Sequence, residues 1–233
     1  PESELVTSFV FEPTDGGAVI DYLPGQYLGV KLHPKGNEYD EIRQYSLSTA
    51  PNNQTYRISV KREGSDDMAG VMSNYLHDHL NVGDEIEAMP PAGDFFFKDK
   101  QTPVVLISGG VGLTPMQAML NTLAKDNYAQ PVHYLHACAN QGQHSFKDHV
   151  NGIKDTLNLS VHTWYEHAVE EGDGVIKGNM ALDQIKDSLP LTNGEFYLCG
   201  PVGFMVFVKQ QLLTLGVEAD RIHYELFGPH KDL

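Results

Sequence analysis

The segment that most constrains the fold is Val104-Val105-Leu106-Ile107 and the loop that follows it, Ser108-Gly109-Gly110-Val111-Gly112-Leu113-Thr114-Pro115. Four consecutive apolar residues leave no face for water, so a strand made of them must be covered on both sides, as in a parallel sheet. The glycines allow a tight turn. Thr114 suits a helix N-cap and Pro115 the first helical turn, which predicts a helix from Pro115 to about Lys125. The same alternation continues. Strands are predicted at Val132–Ala137, Ser160–Tyr165, Glu195–Cys199 and Ile222–Leu226, with helices at Phe146–Leu157, Met180–Ser188 and Gly203–Leu215. Such alternation means an open, Rossmann-like parallel α/β sheet.

The preceding hundred residues read differently. Short β-rich runs at Leu5–Phe11, Tyr27–Leu32, Gln44–Ser48, Tyr56–Lys61 and Asp84–Ala88 are separated by Gly, Pro and Asn. That spacing predicts a closed antiparallel Greek-key β-barrel. One helix, Val71–Leu80, interrupts it. The change of pattern falls near residues 98–103, so two domains are expected, 1–100 and 101–233, each large enough to bury a core.

Composition narrows the function classes. The net charge is −15 and both halves are acidic, with only four arginines, Arg43, Arg57, Arg62 and Arg221. A nucleic-acid partner needs clustered cations and is not expected. Cys138 and Cys199 make no disulfide framework and no metal spacing, which fits a reducing compartment. No apolar run is long enough to span a membrane, and the opening Pro1-Glu2-Ser3-Glu4 is not a signal peptide, so no membrane partner and a cytoplasmic location are expected. The absence of an initial methionine points to a piece of a longer chain. Among the 11 histidines, His77 and His79, and likewise His144 and His149, have poor ligand spacing, so no metal site is expected.

Five segments carry candidate chemistry. In Arg43-Gln44-Tyr45-Ser46, strand alternation puts Arg43 and Tyr45 on one side, a cation and a ring able to hold a phosphate and a flat heterocycle such as a flavin. Gly70-Val71-Met72-Ser73 opens a helix whose free N–H groups attract an anion such as a pyrophosphate. The glycine loop Gly110 to Pro115 stands where a dinucleotide loop stands, with Pro115 in place of the usual third glycine. Cys199-Gly200-Pro201 ends a strand at the carboxyl edge of the sheet, where ligands bind, which would set Cys199 at the rim of a nicotinamide site. Near the C-terminus, Phe227 can cover a ring and Glu225 can sit near a redox centre. Each segment alone also reads as ordinary structure: an exposed Arg, a plain helix start, a tight turn, a buried thiol, a core edge.

Taken in order along essentially the whole chain, the five resemble the ferredoxin-NADP reductase superfamily. The wording of Pro24-Gly25-Gln26-Tyr27, Pro91-Ala92-Gly93-Asp94-Phe95-Phe96, Tyr197-Leu198-Cys199-Gly200-Pro201 and His223-Tyr224-Glu225-Leu226-Phe227-Gly228-Pro229 resembles the reductase half of bacterial flavohemoglobins. The resemblance implies roles by position. Tyr27 and Arg43, Gln44, Tyr45 and Ser46 hold FAD, with Tyr45 on the flavin and Ser46 near its N5, and Gly70, Val71, Met72 and Ser73 hold the pyrophosphate. Gly110, Val111, Gly112, Leu113, Thr114 and Pro115 hold NADH or NADPH, with Cys199, Gly200 and Pro201 beside the nicotinamide. Glu225 lies toward a heme partner, and Leu226, Phe227, Gly228 and Pro229 close the flavin site. Tyr45, Ser46, Cys199 and Glu225 are the implied catalytic set.

The implied activity is hydride transfer from NAD(P)H to FAD, then single-electron transfer to a heme globin domain, linked or separate, that converts nitric oxide to nitrate. No globin segment is present in this sequence. A free-standing NAD(P)H:flavin reductase and a non-enzymatic sensor or scaffold are the alternatives. The stretch Ala139–His144, expected to meet the ribose, has no arginine for a 2′-phosphate, which favours NADH with NADPH tolerated.

Overall fold

The computed structural model describes residues 1–34, 38–64, 70–97, 101–167 and 172–228. The N-terminal strands are β1 (Val6–Phe11), β2 (Tyr27–Leu32), β3 (Glu41–Ser46) and β4 (Tyr56–Lys61), followed by helix α1 (Val71–His79) and the short β5 (Glu87–Ala88). They pair antiparallel as β1-β4 and as β3-β2-β5. Bridges Leu47↔Ile58 and Tyr27↔Ala92 connect the ends of these ladders. Leu28, Val30, Leu47, Ile58 and Val60 close one core with Met72 and Leu76 of α1, which lie one helical turn apart and so share a face. The expected barrel is thus built as two antiparallel sheets around one core. Its third strand runs over Glu41–Ser46, ahead of the predicted Gln44–Ser48.

The C-terminal part contains β6 (Val104–Gly109), α2 (Leu113–Lys125), β7 (Val132–Cys138), α3 (Lys147–Gly152), β8 (Leu159–Tyr165), β9 (Val175–Lys177), β10 (Glu195–Cys199), α4 (Val202–Thr214) and β11 (Ile222–Glu225). All its strands are parallel, in the order β11-β10-β6-β7-β8-β9. Alternate residues of β6 serve opposite faces. Val104 and Leu106 pack with Met116, Met119 and Leu120 of α2, while Val105 and Ile107 pack with Val208 and Leu212 of α4. The apolar run therefore does what its composition requires, covered on both sides by helices.

Two predicted helices are shorter than expected. The one predicted at Phe146–Leu157 is reduced to Lys147–Gly152: Phe146, at φ 60°, stands outside it, and after Gly152 the chain continues in turns, with Thr156 N–H donating to Ile153 C=O at 3.0 Å. The one predicted at Met180–Ser188 is two single 3₁₀ turns, Leu182–Gln184 and Lys186–Ser188. Here tertiary hydrogen bonds replace helical ones: Gln211 accepts from Leu182 N–H at 2.8 Å and donates to Met180 C=O at 3.1 Å, and Trp164 Nε1 donates to Gln184 Oε1 at 3.0 Å. The three-residue edge strand β9 is absent from the sequence reading.

Several contacts join the two halves. Gly25, at φ 112°, sits where an added Cβ would run into the Phe95 carbonyl oxygen of its own half and come within 2.8 Å of Met119 Cε in the second. Phe95 itself joins the α2 core and meets Tyr197 edge-on at 5.9 Å. Arg57 of β4 sits over the Phe146 ring at 5.1 Å, and Ser145 Oγ bonds Ser3 Oγ at 2.9 Å. Gly25→Ala combines backbone strain with a clash and is expected to cost at least about 2 kcal/mol. Gly216→Ala, also at positive φ but with open space around it, is expected to cost about 1 kcal/mol. Thermal unfolding midpoints of the two variants check this, and equal midpoints would show that the seam at Gly25 contributes nothing.

Candidate functional site

The strand order determines where a ligand can enter. After β6 the chain moves outward through β7 and β8 to β9, then returns to β10 on the other side of β6. The loops leaving β6 and β10 therefore diverge, and the crevice between them is the switch point at which open α/β sheets bind ligands. Gly112 makes the crevice by allowing contact: a Cβ there would run into the Cys199 carbonyl and lie 2.6 Å from Gly200 N. Gly110, at φ 53°, has open space beside it, so its backbone is accessible to a ligand. Leu113 and Pro115 are buried in the first turn of α2.

A cavity of about 350 Å³ adjoins this crevice. Arg43, Gln44, Tyr45 and Ser46 line it from β3, Gly70 to Ser73 from the start of α1, Val111 and Thr114 from the glycine loop, and Phe227 from the C-terminal segment. The sequence brings Arg43 and Tyr45 to one side by strand alternation, yet all four residues of the run reach the cavity. β3 is the edge strand of its sheet, so its free edge, and not one face, fronts the cavity. Burial, opposed by nearby Arg43, pushes the Tyr45 phenol up to about 12, so its hydroxyl stays protonated. Arg43 is paired with Glu41 at 2.8 Å and half exposed, so its charge can be redirected to an anion. No side chain caps the start of α1. Ser73 instead spans the entry, accepting from Glu63 N–H at 3.1 Å and donating to Gly70 C=O at 3.3 Å.

A second cavity, of about 570 Å³, lies over the carboxyl ends of the parallel strands. Gly109, Gly110, Pro201 and Phe204 line its central end, and Ala139, Gln143, Glu166 and Asn179 its outer end. Lys61, at the end of β4, lines both cavities. A third hollow, between Gly93–Phe96 and β11, holds Tyr27 and Glu225. Burial, then the neighbouring Asp94 charge, push the Glu225 carboxyl up to about 7.

The remaining sequence candidates fall elsewhere. The Cys199 side chain is 0% exposed, a member of the core beneath α2, so its thiol is not at the rim where the sequence places it. Burial, then the Glu225 charge, push that thiol well up. What Cys199 offers the crevice is its carbonyl. Gly200 is pressed between Phe204 and Gly109, and Tyr27 faces the third hollow, away from the first cavity. Leu226 is half-buried, Gly228 (φ 122°) is exposed, and Pro229 lies outside the described residues. Sequence reasoning missed Lys61, Ser59 and Glu63 on β4 and its extension, and Glu166 and Asn179 beyond β8 and β9; none carries a local motif. Among the described residues, no group of three or more His, Cys, Asp or Glu side chains is disposed to hold a metal ion.

A buried histidine pair supports the outer loops. His136 Nδ1 meets Ser108 Oγ at 2.8 Å, His144 Nδ1 meets Tyr165 Oη at 2.7 Å, and the two imidazoles lie 4.6 Å apart. Their Nε2 atoms have no partner among the described residues. Burial, then Lys147, hold His144 down at about 4; burial, then His144, hold His136 well below its usual range.

Comparison with known proteins follows this division. Residues 2–97 match the model of the oxidoreductase FAD-binding domain and residues 106–210 that of the oxidoreductase NAD-binding domain, which defines the class as a flavin- and nicotinamide-binding oxidoreductase. The whole chain is 52% identical to a flavohemoprotein of Vibrio cholerae and 44% identical to one of Bacillus cereus. It spans 58% and 60% of their lengths. The solved flavohem-like FAD/NAD-binding domain of nitric oxide dioxygenase from Vibrio cholerae superposes with a TM-score of 0.91 at 52% identity, covering 98% of this chain and 95% of that one. The chain belongs to the flavohemoprotein family, as its FAD- and NAD-binding part.

The residues present fit both groups. The first cavity offers a ring, a cation and an uncapped helix start. The second has a glycine loop with room beside Gly110. The histidine pair yields a pH prediction. Both imidazoles are depressed in the folded state, so the unfolded chain binds more protons below about 6.5; their stabilisation is full above that pH and is lost as pH falls toward 4. His144→Gln, which keeps a partner for Tyr165, should lose less stability than the parent over that window, by a few kcal/mol at most. Parallel unfolding curves at every pH would contradict the assignment.

Proposed function

We propose that this chain takes reducing equivalents from a nicotinamide nucleotide in the second cavity, through FAD in the first, and delivers them to a heme held by a globin domain. In the whole protein this delivery serves nitric oxide dioxygenation. The observation that carries the proposal is the junction of the cavities. Lys61 lines both, and Val111 and Thr114 of the nucleotide-type loop reach into the cavity formed by β3 and α1. Two ligands placed in them would be neighbours.

When bound, the two groups supply hydride and electron-transfer chemistry, and the protein supplies orientation and electrostatics. Tyr45 presents a neutral ring, and Ser46, almost fully buried, presents a hydroxyl in the same wall. Arg43 and the first turn of α1 supply positive potential for phosphate oxygens. Phe227, 41% exposed, lines the same cavity as Tyr45 and is assigned the covering of a bound ring. Gly110 to Pro115 and Gly200-Pro201 form the nucleotide crevice, with Gly112 and the Cys199 carbonyl setting its width. Glu225, whose carboxyl is pushed up to about 7 and which lines the third hollow, is assigned to the side facing the heme partner, with Tyr27 in the same hollow. The domain division at residues 100/101 and roles for Leu226, Gly228 and Pro229 in closing the flavin site complete the assignment. Two unpaired cysteines suit a reducing compartment, and we assign the chain to the cytoplasm. Among the described residues no helix is long and apolar enough to cross a membrane.

The test uses the FAD-loaded chain, NADH and a separately prepared globin domain of a flavohemoprotein, with heme absorbance followed anaerobically. Heme reduction that requires both chain and FAD is expected. Reduction of ferricyanide without reduction of heme would instead make the chain a free-standing reductase. Arg43→Ala should weaken FAD binding by roughly tenfold to a hundredfold through loss of a charge-assisted contact, as read by flavin fluorescence titration. An unchanged affinity would remove Arg43 from the site.

A further inference from the structure

The parallel ladders end at the rim of the second cavity. Their last pairs there are Gly109↔Ala137 between β6 and β7 and Cys138↔Tyr165 between β7 and β8. Beyond them the loop of residues 139–144 leaves the sheet, and two of its members, Ala139 and Gln143, line the cavity. The start of the loop is tied by the His167 N–H, which donates to the Ala139 carbonyl at 2.9 Å. Further on, the N–H groups of Gln143 and His144 close only local turns, onto the carbonyls of Asn140 and Gln141 at 3.2 Å each. Among the described residues, the one side-chain hydrogen bond from residues 141–144 to the sheet is that of His144 Nδ1 with Tyr165 Oη, at 2.7 Å.

This bond is buried and braced. His144 is 7% exposed and Tyr165 4%. The His144 imidazole lies 4.6 Å from that of His136, whose Nδ1 meets Ser108 Oγ at 2.8 Å, directly across the β6–β7 ladder. Ser108 immediately precedes Gly109 and Gly110, which line the central end of the cavity. A row of buried side chains, Ser108, His136, His144 and Tyr165, thus runs across three strands from the glycine loop to the outer loop. From the other side the N-terminal segment closes on the loop: Glu4 N–H donates to the Gly142 carbonyl at 3.1 Å, and a Cβ on Gly142 would run into the Glu4 carboxylate. In sequence Gln143 stands between these two anchors.

We propose that His144 is a positioning residue for the nucleotide site: its bond to Tyr165 holds the loop of residues 139–144 in the arrangement that completes the outer end of the second cavity. His144 itself does not line that cavity. It acts on the population of the binding-competent loop, since a nucleotide that binds one arrangement only has its apparent affinity reduced to the fraction of chains that hold it. Without the bond, the buried Tyr165 hydroxyl has no partner while the loop is closed and finds water when it opens, so the open form gains. Saturating nucleotide draws the loop back, so affinity changes and turnover does not. This role rests on the reading of the second cavity as the nicotinamide site.

The experiment compares the FAD-loaded parent with His144→Leu, which keeps bulk without a hydrogen-bonding group, and with His144→Asn, whose amide can serve Tyr165 from the position of Nδ1. KM and kcat for NADH are measured by ferricyanide reduction, affinity for NAD+ by calorimetry, and opening of the loop by hydrogen exchange of the amides at positions 143 and 144. His144→Leu is expected to raise KM and the Kd of NAD+ about tenfold, to leave kcat within about twofold, and to speed exchange at both amides in a way that NAD+ suppresses. His144→Asn should restore both constants to within about threefold of the parent. Should His144→Leu fail to fold, Tyr165→Phe removes the same bond from the other side and is expected to show the same split between KM and kcat. A parental KM in a variant that lacks the bond, a fall in kcat at unchanged KM, or equal losses in His144→Leu and His144→Asn would overturn the role of His144. A parent that binds neither NADH nor NAD+ would instead overturn the reading of the cavity itself, and the positioning role with it.

Discussion

The contact on which the rest depends is the approach of Gly112 to the carbonyl of Cys199. β6 and β10 are adjacent parallel strands whose following loops must part in opposite directions, one into α2 and one into α4. Only a residue without a Cβ lets the first loop turn this close to the end of the second strand. From that approach follow the width of the crevice, the exposure of the Gly110 backbone and the entry of Val111 and Thr114 into the neighbouring cavity. The thiol of Cys199 takes no part in the opening. It faces the core, and its role is to end a strand at the right place.

A second constraint is the rigid placement of the two halves. The first two turns of α2, Leu113 to Leu120, are buried on every side because they are covered twice, by the parallel sheet and by the first half. Phe95 crosses the seam into the α2 core, Arg57 crosses it over Phe146, and the N-terminal residues return across it to Ser145. A site divided between β3, α1 and the glycine loop needs this fixity, since the groups it assembles come from both halves. Small displacements across such a seam would separate Tyr45 and Ser46 from the nucleotide crevice, where tight positioning is worth most.

Much of this was legible in the sequence where chemistry and local structure coincide. The apolar run at Val104–Ile107, the glycine loop, the Arg43–Ser46 run and the glycine-led helix are all local, and they fall on the elements expected of them. What the sequence did not disclose depends on tertiary contact. The helix predicted over Met180–Ser188 is undone by the side chain of Gln211, 31 residues from Met180. The burial of the Cys199 thiol follows from which face of β10 meets α2, which alternation alone does not settle for a strand covered on both sides. Lys61 and Glu166 carry no motif. They matter because strand register brings them to a cavity formed by distant segments.

The central claim is that the two cavities hold FAD and a nicotinamide nucleotide as working neighbours. The most direct measurement is an anaerobic absorbance spectrum of the FAD-loaded chain before and after NADH. The account predicts bleaching of the flavin band only when chain, FAD and NADH are all present. A flavin that stays oxidised while bound, with NADH in excess, would contradict it.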